Sequence, residues 1–224
     1  MKRFDRNCSL ALCAALLLAS GCSSHQRRPP VLRDSDYPGL LRSSSVLPDD
    51  VLWRQRVTAT WGDESGHGFD AALQKQGDVL TLLGLTPIGS PGFVLVLRAE
   101  QIEFENRSGD ELPIPPRFIL LDVQRVFFPW LGPPGRALDD GEHQGTVADE
   151  RVVERWQGGR LMERRFTRMD GQPPGEITIR YTWERKDWIA PTRAIVDNGW
   201  FGYRLAVETL EETRLPQAGV PPGA

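Results

Sequence analysis

The chain has 224 residues, 40% hydrophobic and 25% charged, with a net charge of −3. That acidic balance excludes the electrostatic footprint of a nucleic-acid binder. With 3 cysteines, a disulfide framework is excluded as the basis of the fold, and the length suits one domain with a proper core.

At the start, Lys2, Arg3 and Arg6 make a positive head, an apolar run extends from Leu10 to Ala19, and Ser20 and Gly21 lead into Cys22. This is the layout of a secretory signal, and the run is about half the ~20 residues a spanning helix needs. The expectation is a signal peptide over residues 1–21 that is exported and cut. Leu18-Ala19-Ser20-Gly21-Cys22 resembles the lipobox of bacterial lipoproteins, with Ala19 where Leu usually stands. The resemblance implies acylation of Cys22. Cys8 and Cys13 leave with the signal, so Cys22 has no disulfide partner, and acylation removes the liability of a free thiol. Ser23, in place of the Asp that retains many lipoproteins at the inner membrane, implies an outer-membrane anchor facing the periplasm. Loss of the signal leaves the mature chain at −5.

Residues 22–49 are rich in Arg, Pro and Ser, with weak apolar periodicity, and read as a flexible tether. Residues 50–213 read as one β domain, and 214–224 as a disordered tail. Within the domain the period is mostly two, which predicts antiparallel strands at 53–61, 68–75, 79–85, 92–98, 101–106, 151–157, 160–169, 176–185, 192–197 and 202–210. Gly158-Gly159 predicts a tight hairpin, and the Pro- and Gly-rich stretch 129–145 a loop. Ile177, Ile179, Tyr181 and Trp183 share one face, with Thr178, Arg180, Thr182 and Glu184 on the other. Leu80–Leu85 and Phe93–Leu97 are apolar at nearly every position, so both of their faces are expected to be covered. One helix is predicted at 116–128, opened by Pro115 and Pro116 and closed by Pro129. Its apolar residues, Phe118 and Leu121 among them, wrap most of the circumference, which predicts burial. The pieces suggest a mainly β fold, a curved antiparallel sheet of about ten strands with a covering helix.

The segments LTLLGLTPIGSPGFVLVL (80–97), RFILLDVQRVFFPW (117–130) and TRAIVDNGWFGYRLAVETL (192–210) resemble an uncharacterised family of small bacterial lipoproteins related to the LolA/LolB lipoprotein carriers. That resemblance implies an unclosed β-barrel with a helical lid and an apolar cavity for acyl chains. It also implies a LolA-like periplasmic carrier as partner, and an exposed aliphatic residue in a turn between two early strands. Pro87-Ile88-Gly89 occupies a comparable place, which makes Ile88 the expected membrane-insertion position.

The expected cavity residues are Ile177, Ile179, Tyr181 and Trp183 from one strand face and Phe118 and Leu121 from the helix. Most of the seven tryptophans are expected to serve core packing. Catalytic signals are weak. His25, His67 and His143 have no metal-ligand spacing, no Gly-x-Ser-x-Gly occurs, and Asp139, Asp140 and Glu142 read as a solvated loop. No cofactor, metal or enzymatic role is expected. The leading expectation is an outer-membrane lipoprotein that carries or accepts acylated or other hydrophobic cargo. The alternative is an assembly lipoprotein that binds a protein partner and fills its cavity with its own side chains.

Overall fold

The computed structural model describes residues 32–62, 66–109, 112 and 114–216. The expected signal peptide, Cys22, the first part of the tether and the end of the tail lie outside the described residues. Leu32–Ala224 forms a compact unit that contains every strand and its own hydrophobic core, the hallmark of a part able to fold alone.

Among the described residues eleven strands make one antiparallel sheet: β1 Val51–Trp61, β2 His67–Gln76, β3 Val79–Leu85, β4 Pro91–Arg98, β5 Gln101–Asn106, β6 Gly141–Val147, β7 Glu150–Gln157, β8 Arg160–Arg168, β9 Glu176–Thr182, β10 Arg193–Asn198 and β11 Tyr203–Arg214. Their order is β5-β4-β3-β2-β1-β11-β10-β9-β8-β7-β6, so β5 and β6 are free edges and the barrel is not closed. The expected mainly β architecture with a covering helix is the observed one. Ten of the strands fall where the period-two pattern puts them. The eleventh, β6, lies in the stretch read as a loop. Its sequence GEHQGTV has no apolar alternation because it is a mostly exposed edge, held only by β7.

Helix α1, Pro116–Phe127, begins with proline at its first position and lies against the concave face. It divides the core. Phe118 and Leu121 pack with Phe166, Ile177, Ile179 and Val196 over the β8–β10 half. Leu120, followed by Phe128, packs with Trp53, Leu73, Leu80 and Leu95 over the β1–β4 half. Of the four polar residues of its sequence, Asp122, Gln124 and Arg125 are buried as well, and Arg117 is half-buried.

Two expectations are corrected. Part of the segment read as tether is fastened to α1. Tyr37 is 1% exposed and ringed by Phe118, Trp200 and Phe201. Arg117 donates to Tyr37 O at 2.7 Å and Gly39 O at 2.5 Å, and Gln124 exchanges bonds with Arg42 N and O at 2.9 and 2.8 Å. This strap has no periodicity because its backbone is satisfied by side chains of α1 instead of a ladder. The second correction concerns the two apolar strands. Leu80, Leu82, Leu95 and Leu97 point inward and are buried, but the outward row of Leu83, Leu85, Val94 and Val96 is only half-covered.

Candidate functional site

The inward row of β1 faces the underside of α1 across a gap. Val57, Ala59 and Trp61 form its floor, Phe69, Leu82 and Phe93 one wall, and Leu205 and Val207 from β11 the other. Ile119, Val123, Val126 and Phe127 make the roof. The space is about 110 Å³ and its lining is apolar except for Gln55 and Asp122. This is smaller than the roughly 300 Å³ at which ordinary ligand pockets begin. A wider concavity of about 430 Å³ shares Ala59, Trp61, Phe69, Phe93 and Leu112 with it and extends to Thr86 and Pro87. The mouth therefore lies beside the turn between β3 and β4.

That turn is tightly built. Thr86 N donates to Ser90 O and Gly89 N to Thr86 O, each at 2.8 Å, and the Thr86 and Ser90 hydroxyls meet at 2.7 Å. Gly89 takes φ +81°, a conformation L side chains resist. Ile88 is left 89% exposed at the tip. At the base of the same hairpin, a Cβ on Gly84 would stand 2.1 Å from the Phe93 ring. Glycine there lets that ring lie flat against β3 as cavity wall.

None of the six residues expected to line a cavity lines this one. Ile177, Ile179, Phe118 and Leu121 are each at most 1% exposed, within the solid β8–β10 half of the core. Tyr181 fixes the helix: its hydroxyl donates to Val126 O at 3.1 Å, and burial pushes its pKa up to about 12. Trp183 lies past the end of β9, with Nε1 donating to Leu161 O at 2.8 Å. Tyr181 and Trp183 do share a groove with Trp156, Trp188 and Arg160, but it is lined from the opposite ends of the strands. Apolar alternation cannot tell a row facing a packed core from one facing a gap. The readable signal was Gln55, the polar residue in an otherwise apolar inward row of β1.

Buried polar groups hold α1 from one side. Asp122 accepts from Tyr37 Oη and Tyr203 Oη, each at 2.5 Å, and Asn198 Nδ2 donates to Tyr37 Oη at 3.0 Å. Burial pushes the Asp122 carboxyl up to about 6, outweighing the opposing pull of the two tyrosines and Arg125. Arg125 pairs with Glu150 at 2.8 Å, both side chains 1% exposed. Arg164, paired with Glu154 at 2.7 Å, donates to Arg125 O at 2.6 Å. Buried pairs like these add little net stability but penalise any displaced arrangement strongly. Over β1–β4, by contrast, α1 packs through apolar side chains, Leu120 and Phe127 among them. Among the described residues no group of three or more His, Cys, Asp and Glu side chains is placed to hold a metal ion.

The family described as protein of unknown function, DUF3261, matches residues 52–211. No curated protein matches the sequence. Among solved structures, the chain is similar to a LolA superfamily protein from Nitrosomonas europaea, with a TM-score of 0.45 and 12% identity over 80% of this chain and 95% of that one. A putative outer membrane lipoprotein-sorting protein domain from Vibrio parahaemolyticus gives 0.41 and 9% identity over 80% and 90%. A DUF1329 family protein from Desulfovibrio piger gives 0.34 and 12% over 79% and 90%.

Proposed function

The chain belongs to the DUF3261 family, and we propose that it is a non-enzymatic carrier or acceptor of acylated cargo, anchored by an acylated Cys22 to the outer membrane and facing the periplasm. The observation that carries this reading is an apolar cavity whose mouth adjoins a rigid turn with an 89% exposed isoleucine. Acyl chains need little beyond an apolar surface: at about 0.8 kcal/mol per buried methylene, one long chain gains roughly 10 kcal/mol before ordering costs. A chain entering at this mouth would pass the turn that carries Ile88, and the half-covered row of Leu83, Leu85 and Val94 continues the apolar surface on the outer side of the same hairpin. A LolA-like periplasmic donor would present the cargo at this end.

The test uses the Leu32–Ala224 unit and a fluorescent monoacylglycerol. Binding should saturate at one site, and Val57→Trp, which projects from β1 into the gap, should weaken it at least about tenfold by occupying the space. Equal affinity in a folded variant would remove the cavity from the function. One observation favours the second reading, an assembly lipoprotein with a self-filled core: the cavity is only about 110 Å³. On that reading the wild type takes up no probe.

A further inference from the structure

Of the inward positions of β1, Val51, Trp53, Val57, Ala59 and Trp61 are apolar and one is not. Gln55, 3% exposed, lines the cavity, and its Nε2 is fully buried with no hydrogen-bond partner. It sits at the bulge where the β1–β11 register shifts, directly across from Thr209, whose Oγ1 is also buried without a partner. An unmet buried amide is a standing cost that a leucine of similar size would remove. A water beside Gln55 would find Thr209 Oγ1 as its one other unmet partner, the bottom of the two to four that a buried water needs. The partner is then sought in what enters the cavity.

We infer that Gln55 is the specificity-determining donor of this cavity, and that the group it meets is the neutral carbonyl oxygen of an acyl ester or amide. This rests on the carrier reading above and narrows its cargo. An amide nitrogen can only donate, so the ligand must present an acceptor. Among the described residues no Lys, Arg or His lines the cavity, and the one other polar lining residue is the carboxyl of Asp122, so the acceptor is read as uncharged. A free fatty-acid carboxylate would be buried there without a cation. A bare hydrocarbon would leave the amide unmet. An O- or N-acyl chain satisfies both the apolar walls and the single donor. Such chains occur on glycerolipids and on the acylated cysteine of lipoproteins, and the chemistry of recognition is the same for both.

The experiment measures displacement of a fluorescent acyl probe from the Leu32–Ala224 unit by monopalmitoylglycerol, its hexadecyl ether analogue and palmitate, each below its aggregation concentration. The wild type should bind the ester roughly 2- to 10-fold more tightly than the ether, as one neutral hydrogen bond allows, and palmitate more weakly than the ester. Gln55→Leu should bind ester and ether equally, with a thermal midpoint at or above wild type. Gln55→Met serves as a second apolar variant should the leucine fail to fold. A diacylglyceryl-cysteine peptide and a phosphatidylglycerol of the same chains separate the two sources, the stronger competitor marking the ligand class. Equal binding of ester and ether by the wild type, an ester preference that survives in the apolar variant, or no displacement by either diacyl competitor overturns the inference. If no probe binds at all, the carrier reading falls and takes this inference with it.

Discussion

Ile88 offers a perturbation whose size can be worked out in advance. Its side chain is 89% exposed, and the turn that carries it is held by bonds between residues 86, 89 and 90, none of which involves the isoleucine side chain. Truncation to alanine should therefore leave the thermal midpoint within about a degree or two of wild type, as for surface substitutions generally. In contact with a bilayer the difference is large. Ile88→Ala removes about three methylene equivalents, worth roughly 2.4 kcal/mol at 0.8 kcal/mol each, or about a 50-fold weaker partition of the turn into lipid. Ile88→Glu adds the cost of desolvating a charge and should abolish insertion. The assay is transfer of a preloaded fluorescent acylglycerol from the Leu32–Ala224 unit into phosphatidylglycerol-containing liposomes, with probe affinity measured in parallel. The alanine variant should keep its affinity and lose most of its transfer rate, and the glutamate variant should lose more. Transfer at the wild-type rate by a folded Ile88→Glu would refute the reasoning, because Ile88 is the one large exposed hydrophobic side chain of this turn.

Burial holds the Asp122 carboxyl at about 6, above its value in the unfolded chain, so the folded state binds this proton more tightly. The resulting stability is complete below about pH 4 and lost as pH rises to about 6, a difference of roughly 3 kcal/mol. Asp122→Asn should remove that falling limb from denaturant midpoints measured across the window, and parallel curves for the two proteins would contradict it. Tyr37→Phe takes one of the two hydroxyl donors from the buried carboxylate and should cost about 1–3 kcal/mol, with faster proteolysis of the strap as a second readout. Gly84→Ala drives a methyl into the Phe93 ring, so it should destabilise by about 1–3 kcal/mol and weaken probe binding more than a polar change on the outer face of β2. Metabolic labelling with a palmitate analogue should mark the wild type and not Cys22→Ala; label retained by the variant would remove the anchor.

The sheet and helix were legible because their signals are local. Period-two rows such as Ile177, Ile179 and Tyr181 depend on one buried and one wet face, and the prolines at 115, 116 and 129 bracket α1 whatever surrounds it. The strap and β6 were not legible because their order comes from partners distant in sequence: Tyr37 is fixed by Asp122 and Asn198, and β6 by β7 alone. The cavity was misplaced for a related reason. Rows on β1 and on β9 have the same alternation, and only the path of α1, clasped by buried polar groups over β7–β9 and by grease over β1–β4, decides which of them meets a gap. The exposed turn that carries Ile88 was readable because Pro87 and Gly89 define it without tertiary help.

The free edges of the sheet have a mechanical meaning. In a closed barrel, strand number and stagger set the bore, and widening it means breaking ladder hydrogen bonds. Here β5 and β6 end the ladder unpaired with each other, so the girth of the trough is set by side chains and not by the backbone. On the carrier reading proposed above, an opening of the β1–β5 flank away from α1 would leave all ten strand pairings intact and give up apolar contacts of the kind an incoming chain restores. On that same reading capacity would follow the guest, longer or branched chains opening the flank further at nearly constant net cost.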